Sequence, residues 1–447
     1  MNYKNKTLVS LFLSALASSS MAAVSPEEAA PLGNDLTPIG AESAANAAGT
    51  IPAWNPQTLS QSDVDSLIQE QPLFTITADN IEQYKGNLSV GQMALFKKYP
   101  ASYQMPVYKT LRTALYPQPM YDKGIANATT AKLVQGGNGI ADFNGITPFP
   151  IPQNGLEVVW NHITRYRGGM LERNVVQLPV VSNGDFNPIS VDESFLMPYQ
   201  VDGYQLTEAD DNIIFYYTQK VKSPPRLTGN VLLVHETLDQ VKQPRQAWRY
   251  NAGQRRVRRA PQVAYDSPGQ ATDGQRTSDQ LDMFNGAPDR YNWNLLGKQE
   301  LYIPYNAFKL ASKDHSYRDI VRPGHLNPEL TRYELHRVWK VEATLKEGER
   351  HVYAKRVFYI DEDTWQIAVA DQYDARDQLW RVQEGHELQY IEPSVPWLAA
   401  DTIHDLQSGR LLVSGLSNED TQSGFNFEVV TKRKDFTPSA IRRSGKR

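Results

Sequence analysis

From about Asn174 onward, apolar and polar residues alternate with a period of two, the spacing of strands with one face buried. This predicts strands at Ile213–Lys220, Val231–Glu236, Gln246–Tyr250, Arg255–Arg259, Leu335–Thr344, His351–Ile360, Trp365–Tyr373, Leu379–Glu384 and Phe425–Thr431. Ser223-Pro224-Pro225, Glu347-Gly348, Asp361-Glu362-Asp363 and Asp374-Ala375-Arg376-Asp377 supply turn chemistry between several of them. Strands joined this closely pair antiparallel. The clearest places Leu335, Arg337, Trp339, Val341 and Ala343 on one face and His336, Val338, Lys340, Glu342 and Thr344 on the other. One side reads as largely apolar and the other as largely wet, as in a curved sheet that packs helices on its inner face.

Before that point the spacing is helical or absent. Leu156, Val159, Trp160 and Ile163 predict a helix over Leu156–Arg167, with Asn154 as its cap and Gly168 at its left-handed end. A weaker stripe of Val90, Met93 and Ala94, with Phe96 off it, predicts a second helix ended by Tyr99-Pro100. Residues 23 to about 60, rich in Ala, Pro, Gly and Asn, read as an extended arm anchored by Trp54, and Tyr103–Pro119 as irregular structure packed on a surface. Residues 262–332 interrupt the alternation; Met283, Phe284, Tyr291, Trp293, Leu295 and Leu296 argue that this long loop is ordered. The expected fold is mainly β with α: a large curved antiparallel sheet packed with helices. A division into 1–22, 23–150 (arm and short helices) and 151–447 (β domain) follows.

The hairpin Gln246–Arg259 changes the picture most. Gln246, Trp248 and Tyr250 share a face, Asn251-Ala252-Gly253 makes the turn, and Arg255, Arg256, Arg258 and Arg259 return. Seven basic side chains and no acid lie between Lys242 and Arg259, although the chain's net charge is −4. Such a run is either a solvated face that pairs with acids elsewhere or a rim for an anionic headgroup or an acidic partner, since guanidinium forks suit carboxylate and phosphate.

Gln243-Pro244-Arg245-Gln246-Ala247-Trp248, continuing through Asn251, Gly253 and Arg255 to Pro261, resembles a Gram-negative envelope family of unknown function similar to outer-membrane lipoprotein-sorting proteins of the LolA and LolB type. Further matches are Leu36-Thr37-Pro38 with Gly40-Ala41-Glu42, Gly49-Thr50-Ile51-Pro52-Ala53-Trp54 and Trp160-Asn161-His162 with Arg165-Tyr166-Arg167-Gly168. Ser223-Pro224-Pro225-Arg226-Leu227 and Lys355–Trp365 complete the set. The resemblance implies a half-barrel sheet that binds or hands on a hydrophobic molecule, a lipid, sterol or lipoprotein acyl chain. It also implies partners: a resistance-nodulation-division (RND) type transporter and an outer-membrane protein. It places residues 262–332 at the sheet edge, and makes Trp160, Trp248, Tyr250, Trp339 and Trp365, with the four hairpin arginines, candidate ligand-binding residues. Each tryptophan, on its own residues, reads first as core packing.

Lys4 and Lys6, an apolar stretch from Leu8 to Ala17, and small residues at Ser20 and Ala22 form a secretory signal with cleavage after Ala22. Losing the two lysines takes the formal charge from −4 to −6. That sign argues against nucleic acid. With no cysteine, disulfides, thiolate metal sites and acylation are excluded, and a periplasmic location is expected.

No catalytic constellation emerges. His235-Glu236 begins like a zinc-protease motif, but Asp239 stands where the second histidine belongs. Ser414 lies between Leu412 and Leu416 rather than glycines. Asp361 with Asp363, and Asp210-Asp211, read as turn acids bonding local backbone. No cofactor, metal or enzymatic activity is expected. The alternative to a carrier is an accessory or scaffold subunit with a filled core.

Overall fold

The computed structural model describes residues 23–260, 265–420 and 424–445. The signal at 1–22 lies outside the described residues. The arm carries α1 (Pro26–Ala29), α2 (Gln61–Gln69), β1 (Phe74–Ile76), α3 (Val90–Lys98), β2 (Met105–Val107) and α4 (Gln118–Asn127). A small hairpin of β3 (Lys132–Val134) and β4 (Gly139–Ala141) leads into α5 (Gly155–Thr164). A first meander follows: β5 (Met170–Val180), β6 (Ile189–Leu196), β7 (Ile213–Val221), β8 (Val231–Thr237), β9 (Gln246–Asn251) and β10 (Arg256–Arg259).

The next stretch holds β11 (Tyr291–Pro304), α6 (Phe308–Ala311), α7 (Tyr317–Ile320), β12 (Val321–Arg322) and β13 (His325–Leu326). The second meander is β14 (Tyr333–Leu345), β15 (Lys355–Asp361), β16 (Ile367–Tyr373), β17 (Leu379–Tyr390), β18 (Val395–Asp405) and β19 (Leu411–Leu416). β20 (Phe425–Asn426) and α8 (Pro438–Ser444) close the chain.

β19 pairs antiparallel with β5, so the two meanders fuse into one 16-stranded sheet. The path from β1 to β10 does not close, and a single parallel bridge, Tyr333 with Val107, makes it mixed. This is the mainly β, helix-packed architecture that the alternation predicts. Its interior is organised by α5: Val158, Val159 and Trp160 are fully buried, and the helix packs against β11 and β14. The Asn154 side chain accepts from Glu157 N, as expected of the cap.

Other expectations are corrected. The long loop contains β11, which pairs along β14 from Tyr291–Leu345 to Pro304–Tyr333. Its alternation is interrupted in the sequence by the polar run Gly297-Lys298-Gln299-Glu300; Tyr291, Trp293 and Leu295 face one core and, past a bulge between Leu295 and Gly297, Leu301 and Ile303 face another. The β14 face read as largely wet is so only toward its end, where Lys340, Glu342 and Thr344 are half-buried; His336 is buried, and Val338 is fully buried with Leu301, Ile303, Val357 and Tyr359 in a second core. Residues 60–110 cover part of the sheet and dry it. Thus α3 buries Leu95 and Phe96, while Val90, assigned to its buried stripe, is 55% exposed. Gly91 permits the close approach, since a Cβ there would lie 2.1 Å from Asp371 Oδ1.

Gly168 does adopt a left-handed φ of 85°, but α5 ends at Thr164, so the residue turns the chain into β5 instead. Phe425–Thr431 yields only the two-residue β20. The arm is held less by half-buried Trp54 than by Ile39 and Ile51, both buried.

Candidate functional site

The sheet interior is full. Trp160 donates its indole N–H to Gly137 O (2.9 Å) and Trp365 to Ile39 O (3.0 Å), so both rings are fixed core members. Below α5, Asp282 receives Arg165 Nη2 at 2.6 Å, Arg167 Nη1 at 2.8 Å and the Trp397 indole at 3.2 Å. Burial opposes the Asp282 charge, but the two guanidinium groups outweigh it and hold the carboxyl well below the usual carboxylate range. His162 is buried beside this clamp. Desolvation, reinforced by Arg165, brings its pKa down to about 3, and Ile367 N–H donates to its Nδ1 (3.1 Å). The neutral imidazole is therefore a structural spacer.

Two small cavities remain under the first meander. One, about 50 Å³, is bounded by Phe215, Tyr217, Leu232, Val234, Leu281 and Arg276. The other, about 30 Å³, lies between Arg173, Glu193, Arg276, Asp401 and Ser414. Burial pushes Asp401 up to about 6. Spaces this size hold a few waters and no acyl chain. Arg276, 6% exposed, borders both, and among the described residues no carboxylate lies within ion-pair distance of it.

The candidate residues from the sequence do not converge. Trp339 stacks on Trp365 with centroids 6.2 Å apart, and Lys298 Nζ sits 4.7 Å from the Trp339 ring. Trp248 and Tyr250 face Phe436 and Ile441 of the C-terminal segment. On β10 and its turn, Arg255, Arg256, Arg258 and Arg259 are exposed, with no carboxylate in ion-pair range among the described residues. Arg249, Arg258 and Arg259 border an open basin of about 500 Å³ with Ser267 and Pro268.

A larger apolar opening lies elsewhere. Val64 and Ile68 of α2, Phe308 and Ala311 of α6, Leu388–Pro393 at the β17–β18 turn and Gly424–Glu428 enclose a groove of about 1080 Å³. Its aromatic wall is a triad: Tyr390 lies 4.6 Å from Phe425 and 5.3 Å from Phe427, centroid to centroid. Gly168 is required here, because a Cβ at that position would meet Phe427 at 2.5 Å. Arg173 stacks its guanidinium over Phe425 at 5.3 Å and Trp397 at 5.0 Å, bracing the wall from behind. Sequence reading missed this groove because its walls come from four distant segments. The alternating Phe425 and Phe427 read as an ordinary strand.

These features define an open, almost wholly antiparallel sheet wrapped around a buried helix, with its aromatic-walled opening on the outside. The chain belongs to the family described as protein of unknown function (DUF1329), whose pattern matches residues 75–442. The uncharacterized protein PA3922 of Pseudomonas aeruginosa is 56% identical over 445 residues, covering 98% of this chain and 97% of that protein. A DUF1329 family protein from Desulfovibrio piger is similar at TM-score 0.41 and 15% identity, over 61% of this chain and 91% of that one. A LolA superfamily protein from Nitrosomonas europaea is similar at TM-score 0.37 and 12% identity, over 64% and 98% respectively.

Proposed function

We propose that this protein is a non-catalytic periplasmic protein that binds a hydrophobic molecule of the lipid or acyl-chain class, and that the groove beside α6 receives it. One observation carries the reading: an opening of about 1080 Å³ with an aromatic wall and a partly polar rim stands against interior cavities of about 50 and 30 Å³. Ligand pockets span about 300 to 1,000 Å³, so the groove is large enough and the interior is not. Half-buried Phe427, Tyr390 and Ile391 offer apolar surface still accessible to solvent. The periplasmic location rests on the pattern of residues 1–22. An RND-type transporter and an outer-membrane protein are the partners that the resemblance implies.

The test is equilibrium binding of a fluorescent fatty acid to the purified chain and to Phe427→Ser. The expected result is saturable binding that weakens at least about tenfold in the variant, the order of the transfer free energy of one phenylalanine ring. Binding unchanged by Phe427→Ser would overturn the groove assignment. The filled interior favours one second reading, a scaffold subunit docking on an envelope complex. Absence of any lipid binding would select it.

A further inference from the structure

The turn Asp361-Glu362-Asp363-Thr364 is among the most buried polar stretches of the protein, at 0, 2, 5 and 0% exposure. β14 brings His336 against it. One ligand atom each from His336, Asp361 and Asp363 lies within 4.8 Å of the others. His336 Nε2 faces Glu334 Oε2 at 3.3 Å. Glu334 is itself fixed by Arg332 Nε (2.6 Å), Asn306 Nδ2 (2.9 Å) and Leu111 N (2.7 Å). On the other side of the ring, His336 Nδ1 lies 3.7 Å from Asp361 Oδ1.

Both atoms sit in a dry site, within ion-pair range if the imidazole is charged. Asp361 Oδ1 has no hydrogen-bond partner, and 3.7 Å is too long for a proton to bridge. Two ligand atoms held about 2.1 Å from one ion lie roughly 3.3 to 4.2 Å apart, which matches. A carboxylate orienting the far nitrogen of an imidazole is also the usual support of a metal-binding histidine.

Charge counting points the same way. Arg332 answers Glu334, Arg112 answers Asp363 through paired bonds of 2.8 and 2.6 Å, and Arg337 with Lys298 answers Glu362. Apart from His336, which Asp361 shares with Glu334, Asp361 and buried Glu387 have no basic side chain within ion-pair range among the described residues; both contact the Thr364 hydroxyl, at 2.9 and 3.1 Å. The Tyr305 ring stacks on His336 with centroids 4.0 Å apart, and its hydroxyl is buried without a partner.

We propose that His336, Asp361 and Asp363 bind one divalent cation that ties the β15–β16 turn to β14. A nitrogen with two carboxylate oxygens and no sulfur suits a first-row transition ion, with Zn²⁺ the natural probe. Asp363 retains lone pairs for the ion while accepting from Arg112.

The experiment is elemental analysis by mass spectrometry of the purified chain after incubation with Zn²⁺ and desalting, with melting curves before and after chelation. The expected result is about one zinc per chain, a lower Tm after chelation, and at least a tenfold loss of zinc in Asp361→Asn. Asp374→Asn, in an exposed turn, serves as control and keeps its zinc. Wild-type protein that is folded yet holds under about a tenth of an equivalent overturns the proposal; so does Asp361→Asn retaining a full equivalent. Should Asp361→Asn fail to fold, the wild-type stoichiometry and the chelator response decide between a bound ion and a protonated Asp361–Glu387 pair, which chelation leaves untouched.

Discussion

The interior under α5 and the groove beside α6 are both walled with aromatic rings, yet only one has room for another molecule. Inside, Trp160 and Trp365 spend their indole N–H groups on backbone carbonyls, and Asp282 is locked between two arginines. Outside, Tyr390, Phe425 and Phe427 pack on one another over a cleft that stays open. Aromatic content therefore does not locate a binding site here. What separates the two regions is whether a neighbouring element has already taken the apolar face.

The largest effects belong to the filled interior. Trp160→Ala removes a fully buried side chain and is expected to cost about 3–5 kcal/mol in denaturant unfolding, with no gain in lipid capture. Asp282→Asn leaves Arg165 and Arg167 buried without their counter-charge and is expected to cost a similar ~3–5 kcal/mol. If either variant is nearly neutral, or if Trp160→Ala binds more lipid, the interior is looser than its packing indicates.

A pH effect of intermediate size comes from Glu384. Burial lifts its carboxyl to about 7, only partly offset by bonds from Gln92 Nε2 (3.2 Å) and the Tyr333 hydroxyl (3.1 Å). The folded state then holds a proton that the unfolded chain releases near pH 4, so this contribution is complete below about pH 4 and is lost as pH rises through 7. Tm is expected to fall by a few degrees between pH 6 and 8, and Glu384→Gln to flatten that slope. A slope unchanged in Glu384→Gln would assign the titration elsewhere.

The smallest effect is expected at the arginine hairpin. Arg256→Gln with Arg258→Gln is expected to shift stability by no more than about 0.5 kcal/mol each, because both guanidinium groups are exposed. Capture of an anionic vesicle or partner is the readout on which that variant is expected to differ. A large loss of stability would show hidden ion pairs.

Two charged hairpins show how far the sequence was legible. Alternation located most of the two meanders and the helix α5, because those patterns are local. Arg255–Arg259, read as a charged returning strand, is exposed, whereas Asp361–Asp363, read as a charged turn, is nearly sealed. Nothing within either segment distinguishes them. The difference comes from Arg112, in the arm, reaching across 251 positions to Asp363. The strand β11 was hidden by the polar run Gly297-Lys298-Gln299-Glu300 in its middle. The groove was hidden because α2, α6, the β17–β18 turn and the 424–428 segment meet only in the folded chain.

The most direct test of the central claim is photo-crosslinking with a diazirine-bearing fatty acid, followed by peptide mapping of the labelled chain. Label is expected on residues 61–68, 388–393 and 424–428, the walls of the groove. Label on α5 or on β15 and β16, the lining of the filled interior, would contradict it.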